Sequence, residues 1–600
     1  MKKAFFLITL IVLGFLMWYE PSIKEIAAGM AIILFGMIFL EDGFKLFSGG
    51  PLEKFLKKTT DTLPKSLSFG FVSTSLLQSS GLISVITISF LSAGLMELSS
   101  GIGIIFGANI GTTSGAWLIS LFGLKLNISS FALPMLAFGV VFVLQKKDIP
   151  KGIGYVLSGI GFLFLGIYFM KVGFESFQGL INLKEYSMTG FGGLIVYTLI
   201  GIIITVLMQS SHASLAIILT ALSTGQLTYV NALALAIGAN IGTTVMALIG
   251  ALSANEAGKR LAVAHLVFNL VTAIIAIAFI NQLRWVVDHA STWVGIAEND
   301  YTLKLSMFHT IFNVIGVLIM LPFIKLLVLF LVKVIKEKAV KDISQPRYLS
   351  DAALQYVESA IPALIKESRH LFDNSFEIIA HGLNLHRADI LSDMKLKEIV
   401  PKSTNNMRIN IDELYYKKVK TIYSKIIEFA TVIQSKKLSE DAVRLLHKIR
   451  VANRYLIEII KHIRTLQPNM AKYIISNNES IKSEYNRLRL KIAKVIREVY
   501  RTQSVDNLEA QHQKLLELQQ KAKLHDVLVN GRLDELIRDK LIDSQMATSL
   551  MNDSALVARI CEKLINVAEL LYIQSDTILE PNNQKHDEEH LKDFFEEQAL

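Results

Sequence analysis

The chain has 600 residues, a formal net charge of +9, a single cysteine and 52% hydrophobic residues. An apolar share this high excludes a wholly soluble chain once the uneven spread of charge is considered, and one cysteine, Cys561, excludes an intramolecular disulfide and fits a reducing compartment. The basic balance suits an anionic membrane surface; no nucleic-acid motif accompanies it, so no nucleic-acid partner is expected.

Met1-Lys2-Lys3 followed by Ala4–Tyr19 lacks a small-x-small cleavage site before Glu20 and reads as an uncleaved first span. The stretches Ser66–Met96, Leu98–Leu124, Leu126–Gln145, Gly152–Met170, Tyr186–Asn255 and Leu261–Leu283 contain no Asp, Glu, Lys or Arg. Each is long enough for a membrane helix, and the longest must hold more than one. Basic residues fall in Lys2-Lys3, Lys54–Lys65, Lys146-Lys147 with Lys151, Lys259-Arg260 and Lys333–Lys341. The positive-inside rule places these in the cytoplasm and the loops Glu20–Glu25 and Asn281–Tyr301 outside.

Gly107-Ala-Asn-Ile-Gly-Thr-Thr113 recurs letter for letter at Gly238–Thr244, 131 residues on, and each copy follows a Gln-Ser-Ser triplet, Gln78-Ser79-Ser80 or Gln209-Ser210-Ser211, at the same distance. Phe35-Gly36-Met37 through Gly43-Phe44 likewise reads against Leu165-Gly166-Ile167 through Gly173-Phe174, at an offset of 130. The orientation just derived runs the helix over Ala27–Phe47 inward and its mate over Gly152–Phe177 outward, so the repeats are inverted. The topology closes only if Ser66–Ser92 and Gly193–Leu222 each enter the membrane and return on the same side. The triplets then sit at the turns of two re-entrant hairpins, where non-helical backbone lines a polar cavity. The expected architecture is all-α: a polytopic membrane domain over 1–340, with repeat 1 over about 27–150, repeat 2 over about 152–283 and an extra span over about 305–336, followed by a soluble helical-bundle domain over 344–600.

Four polar motifs thus meet at the midplane with Gln, Ser, Asn and Thr and without Lys or Arg. Hydroxyls and amides both donate and accept, so such a site can hold an oxyanion while offering oxygens to a small hard cation. An anion buried without a fixed protein cation must be neutralised by cations that travel with it, which is coupled transport. Two His-x-x-Phe-Asn segments, His265–Asn269 and His309–Asn313, put each pair on one helix face. They serve interhelical hydrogen bonding or line the substrate path.

Gln-Ser-Ser in two inverted hairpins, each followed by Gly-Ala-Asn-Ile-Gly-Thr-Thr, resembles the sodium/phosphate cotransporter family in its bacterial form with a cytoplasmic PhoU-like domain. The resemblance covers roughly Gly29–Lys336. It implies secondary transport of inorganic phosphate driven by sodium, not an enzyme, with no cofactor and no metal beyond the transported sodium. It further implies that Gln78, Ser79, Ser80, Gln209, Ser210 and Ser211 bind phosphate and sodium, and that Asn109, Thr112, Thr113, Asn240, Thr243 and Thr244 are supporting sodium or gating residues. The family usually extends the triplet to a third Ser, where this chain has Gly81 and His212. A transporter-derived sensor of phosphate occupancy, or a carrier of another small oxyanion such as sulfate or arsenate, is the alternative.

Beyond about Lys336 charged residues recur every few positions, with apolar residues at helical spacing in Ala352–Leu383, Asn410–Ile433, Ala442–Leu466, Lys482–Thr502, Asn507–Leu524 and Gln545–Tyr572. This pattern suits an antiparallel bundle in the cytoplasm. Asp553…Ala558-Arg559-Ile560-Cys561-Glu562 resembles the PhoU family, with Ala558 where a Glu is expected and Glu562 where an Asp is, so no bound metal is expected. Homodimerisation or docking to the inner face of the membrane is the alternative role for this region. The tail from Pro581 reads as unstructured.

Overall fold

The computed structural model describes residues 14–15, 17–48, 62–124, 128–178, 183–336, 345–404, 410–436, 438–502, 508–524, 527 and 531–573. Most of the expected first span and of the basic stretch Lys54–Lys65, and the whole tail from Pro581, lie outside the described residues. The described residues are helical, with no strand among them. Residues 1–338 with 350–358 form one compact unit and residues 339–349 with 359–600 the other.

The first unit runs α1 (Pro21–Ser48), α2 (Leu63–Leu77), α3 (Ser80–Ser92), α4 (Leu98–Gly111), α5 (Thr113–Leu118, continued by a π-helical turn over Ile119–Gly123), α6 (Ile128–Val143), α7 (Asp148–Gln178), α8 (Gly190–Met208), α9 (Ser211–Ser223), α10 (Tyr229–Ala251), α11 (Glu256–Ala278), α12 (Ile280–Trp293), α13 (Tyr301–Met320) and α14 (Ile324–Val334). Among the described residues seven helical stretches are long and apolar enough to cross a membrane: Pro21–Phe44, Leu98–Gly123, Asp148–Phe177, Gly190–Met208, Tyr229–Ala251, Glu256–Ala278 and Tyr301–Val334. The chain is a multi-pass, all-α membrane protein.

With apolar side chains available to lipid as readily as to protein, these helices associate through small residues that bring backbones close. Ser22, Gly29, Gly36 and Gly43 recur every seventh position on α1, and Gly152, Gly159, Gly166 and Gly173 do so on α7. A Cβ on Gly29 would stand 2.6 Å from the carbonyl oxygen of Gly166, on Gly36 2.8 Å from that of Gly159, on Gly43 2.9 Å from that of Gly152, and on Gly173 2.9 Å from that of Ser22. The two helices therefore run antiparallel along a continuous small-residue seam. Shifting each partner by the 130-residue offset turns the Gly29–Gly166 contact into Gly159–Gly36, and Gly43–Gly152 into Gly173–Ser22.

The same bookkeeping applies to the helices that carry the polar motifs. On the α2–α4 seam, a Cβ on Gly70 would collide with the carbonyl of Ile104, and one on Gly107 with that of Leu67. On the α8–α10 seam, Gly201 meets the carbonyl of Leu235 and Gly238 that of Thr198. Every residue of the second set lies 131 positions after its mate in the first. The polar motifs thus sit on two equivalent, closely packed helix pairs.

The second unit contains α15 (Val357–Gly382), α16 (Arg387–Leu391), α17 (Leu396–Lys402), α18 (Ile411–Tyr415), α19 (Thr421–Gln434), α20 (Glu440–Tyr473), α21 (Glu479–Arg501), α22 (Leu508–Leu524), α23 (Arg532–Arg538) and α24 (Ser544–Ala568). Its long amphipathic helices bury Phe372, Phe376, Tyr473, Tyr485 and Tyr572. Arg489 is fully buried and donates to the carbonyls of Leu383, Asn384, Val400 and Ser403, capping the ends of α15 and α17; burial pushes its guanidinium down to about 10. Asp553, on α24, accepts from Tyr485 Oη at 2.6 Å and Asn469 Nδ2 at 2.9 Å. Burial raises its carboxyl above the ordinary range, and these two hydrogen bonds oppose the rise. Cys561 is buried, which pushes its thiol up to about 12 and leaves it unreactive.

Candidate transport site at the two helix breaks

Each Gln-Ser-Ser triplet interrupts a helical run in the same way. Gln78 closes α2 with φ 53° and ψ 26°, and Gln209 closes α8 with φ 52° and ψ 21°. Both are left-handed, a conformation that costs a non-glycine residue on the order of 1 kcal/mol or more. The next residue returns to extended backbone and caps the following half-helix: Ser79 Oγ accepts from Leu82 N at 3.3 Å, and Ser210 Oγ from Ala213 N at 3.2 Å. Ser80 and Ser211 then open α3 and α9 and are buried. Two 13-residue half-helices thus begin at the two tips with their N-terminal N–H groups and positive dipole ends there.

The first tip is tied to the first Gly-Ala-Asn-Ile-Gly-Thr-Thr copy. Gln78 Nε2 donates to Ser114 Oγ at 2.9 Å and to the carbonyl of Ser75, leaving Oε1 as an acceptor. Asn109 Nδ2 bonds back to Ile105 O at 2.8 Å. The hydroxyls of Thr112, Thr113, Thr243 and Thr244 each donate one turn back to a carbonyl of their own helix, at 2.6 to 2.8 Å. Their oxygen lone pairs stay available to a cation or a donor.

The second copy is wired differently. Asn240 Nδ2 donates to Asn313 Oδ1 at 2.7 Å, and Asn240 Oδ1 lies 3.0 Å from His309 Nε2. Asn269 Nδ2 donates to Asn240 O at 3.0 Å, and Asn313 Nδ2 to His309 O at 2.8 Å. Both His-x-x-Phe-Asn segments therefore supply interhelical hydrogen bonds around Asn240. The tips also differ in access, since Gln209 is exposed and Gln78 half-buried.

The two repeats cross at the tips. His212, which follows the second triplet, hydrogen-bonds the backbone of Thr112 in the first copy and lies against Gly115, beside Gln78 Oε1. The residues brought together are therefore Gln78, Thr112, Ser114 and His212 on one side, and Asn240 with His309, Asn313 and Asn269 on the other. Ser114 and His212 were not among the site residues expected from sequence. The departure from a third Ser at position 212 is the signal from which the second could have been found.

Residues 32–172 and 183–325 each match the model of the Na+/Pi-cotransporter family. The membrane unit belongs to that family. The break between the two Na+/Pi-cotransporter segments, residues 173–182, begins in the last turns of α7, so each segment holds one Gln-Ser-Ser tip and one Gly-Ala-Asn-Ile-Gly-Thr-Thr helix. Curated relatives include "Uncharacterized protein YqeW" of Bacillus subtilis, 29% identical over 274 residues, 44% of this chain and 84% of that protein. "Putative inorganic phosphate export protein YjbB" is 25% identical in Salmonella typhimurium over 272 residues and 26% identical in Escherichia coli K12 over 264 residues. The match spans about half the length of the YjbB proteins, 49% and 48%, and 45% and 44% of this chain. No solved structure matches the chain.

Proposed function

We propose that the protein is a sodium-coupled secondary transporter of inorganic phosphate in the cytoplasmic membrane. The observation that carries the reading is the pair of helix breaks with one shared backbone, Gln78-Ser79-Ser80 and Gln209-Ser210-Ser211, each opening a half-helix. Two N-termini with polar side chains form a ready oxyanion site. The helices that surround the tips, α3, α4, α5 and α8 to α10, contain no Lys or Arg. A bound anion is then compensated by co-transported sodium, with the Thr hydroxyls and the Asn and Gln amide oxygens as hard ligands. The self-matching α1–α7 seam supports inverted repeats, with the two tips as re-entrant hairpins entering from opposite faces. In this reading the second unit is a cytoplasmic PhoU-like domain that regulates flux by favouring one state of the carrier.

Purified full-length protein in proteoliposomes should accumulate labelled phosphate when a sodium gradient is imposed and lose that stimulation when the gradient is collapsed. Flux that ignores sodium removes the coupling; absence of phosphate flux under every gradient removes the function.

A further inference from the structure

The residue after each triplet differs between the tips, Gly81 in the first and His212 in the second, and their neighbours differ in the opposite sense. A Cβ on Gly81 would lie 3.7 Å from Cβ of Met246, whereas a Cβ on Gly115 would stand 2.5 Å from His212 Nε2 and 2.8 Å from Gln78 Oε1. His212 and Met246 lie 131 residues after Gly81 and Gly115 respectively, so one contact is the repeat image of the other with large and small exchanged. With no side chain at Gly115, the His212 ring and Gln78 Oε1 both occupy the space its Cβ would need.

The surroundings of the ring fix its chemistry. His212 is 4% exposed, its Nε2 is buried without a partner, and the ring hydrogen-bonds the Thr112 backbone. That bond falls to Nδ1, and a ring nitrogen that meets a backbone carbonyl carries the hydrogen. No carboxylate occurs in α2 to α5, α8 to α10 or α13 to hold an imidazolium, and the titratable neighbour is another histidine, His309. A neutral ring leaves Nε2 as a bare acceptor beside a second acceptor, Gln78 Oε1, whose amide nitrogen is already used. A buried acceptor without a partner, close to a second acceptor on the half-buried Gln78, calls for a donor.

We propose that His212 Nε2 accepts a hydrogen bond from the P–O–H group of bound hydrogen phosphate, and that this contact selects oxyanions that keep an O–H over those that have none. The inference rests on the reading of the tips as a phosphate site. Hydrogen phosphate and hydrogen arsenate carry the required donor at neutral pH. Sulfate and monofluorophosphate do not, and monofluorophosphate matches hydrogen phosphate in charge and closely in size. Rejection follows because the analogue leaves the acceptor unpaired and sets lone pair against lone pair.

The test is competition against labelled phosphate bound to the full-length protein in sodium, using unlabelled phosphate, arsenate, sulfate and monofluorophosphate. Wild type should favour phosphate and arsenate over the other two by about tenfold or more. His212→Leu should bring that ratio close to unity, and His212→Gln, whose Oε1 restores an acceptor, should recover it. Equal competition by phosphate and monofluorophosphate in wild type overturns the inference while leaving the phosphate site standing, and so does a folded His212→Leu that keeps the wild-type ratio or alters only sodium dependence. No phosphate binding by wild type overturns both. Should His212→Leu fail to fold, the wild-type ratio and His212→Gln decide alone.

Discussion

Left-handed glutamines at both tips are a stored cost, since glycine would hold that backbone without strain. Gln78→Gly and Gln209→Gly should raise the thermal stability of the detergent-solubilised protein, by roughly 1 kcal/mol at most, while sodium-stimulated phosphate flux disappears. A gain of stability with loss of flux is the signature of a residue retained for its side chain; loss of both would make the glutamines structural. Gly115 and Met246 offer a second contrast. Gly115→Ala puts a methyl group between Gln78 and His212 and should weaken phosphate binding by about tenfold or more. Met246→Ala only enlarges space beside Gly81 and should leave affinity within about threefold of wild type. Equal effects of the two substitutions on phosphate affinity would argue against a site at that crossing.

Among the elements, the seams between α2 and α4 and between α8 and α10 leave no room for one added carbon. Gly107→Ala and Gly238→Ala should each destabilise the membrane unit, by about 1–3 kcal/mol or more, and by similar amounts because they meet equivalent carbonyls. Unfolding followed by heat in detergent measures this, and a large inequality would show that the repeats do not share one packing scheme. The seams were legible beforehand only as a repeat offset. A letter-for-letter recurrence and uncharged runs reveal a duplicated membrane domain, and Ser, Thr and Gly inside an apolar run mark where a helix breaks. They do not reveal which helix faces which. The His212–Gly115 crossing and the Asn240–His309–Asn313 network join segments far apart in the chain, so no local period carries them. Helical spacing in the two His-x-x-Phe-Asn segments did place each pair on one face, and the partners of that face came from the fold.

For the molecule as a whole, the connection between the two units has a part of its own. Residues 350–358 belong to the membrane unit: Ser89 Oγ donates to the carbonyl of Ala352, and Ala352 N donates to Ser253 O at 3.3 Å. Ala352 is buried in the core with Leu91 and Leu261, and Tyr356 packs on the cluster of Phe69 and Phe90. Polar sequence around Ser350 and Asp351 gave no hint of this. A chain ended after Glu358 should keep sodium-dependent phosphate binding and change only the rate of flux or its response to intracellular ligand. A chain ended after Arg347 also loses the Ser89 and Ser253 contacts and should be the less stable of the two, measured by thermal unfolding in detergent. Equal stability would deny the segment a structural part.

The central claim is that two copies of one motif build a single phosphate site. Equilibrium binding of labelled phosphate to the full-length protein in saturating sodium, compared among wild type, Gln78→Ala and Gln209→Ala, tests it most directly. One phosphate per chain is expected for wild type, falling to none in either single variant, because each amide is lost from the same site. Two phosphates per chain, or one variant that binds as wild type does, would contradict it.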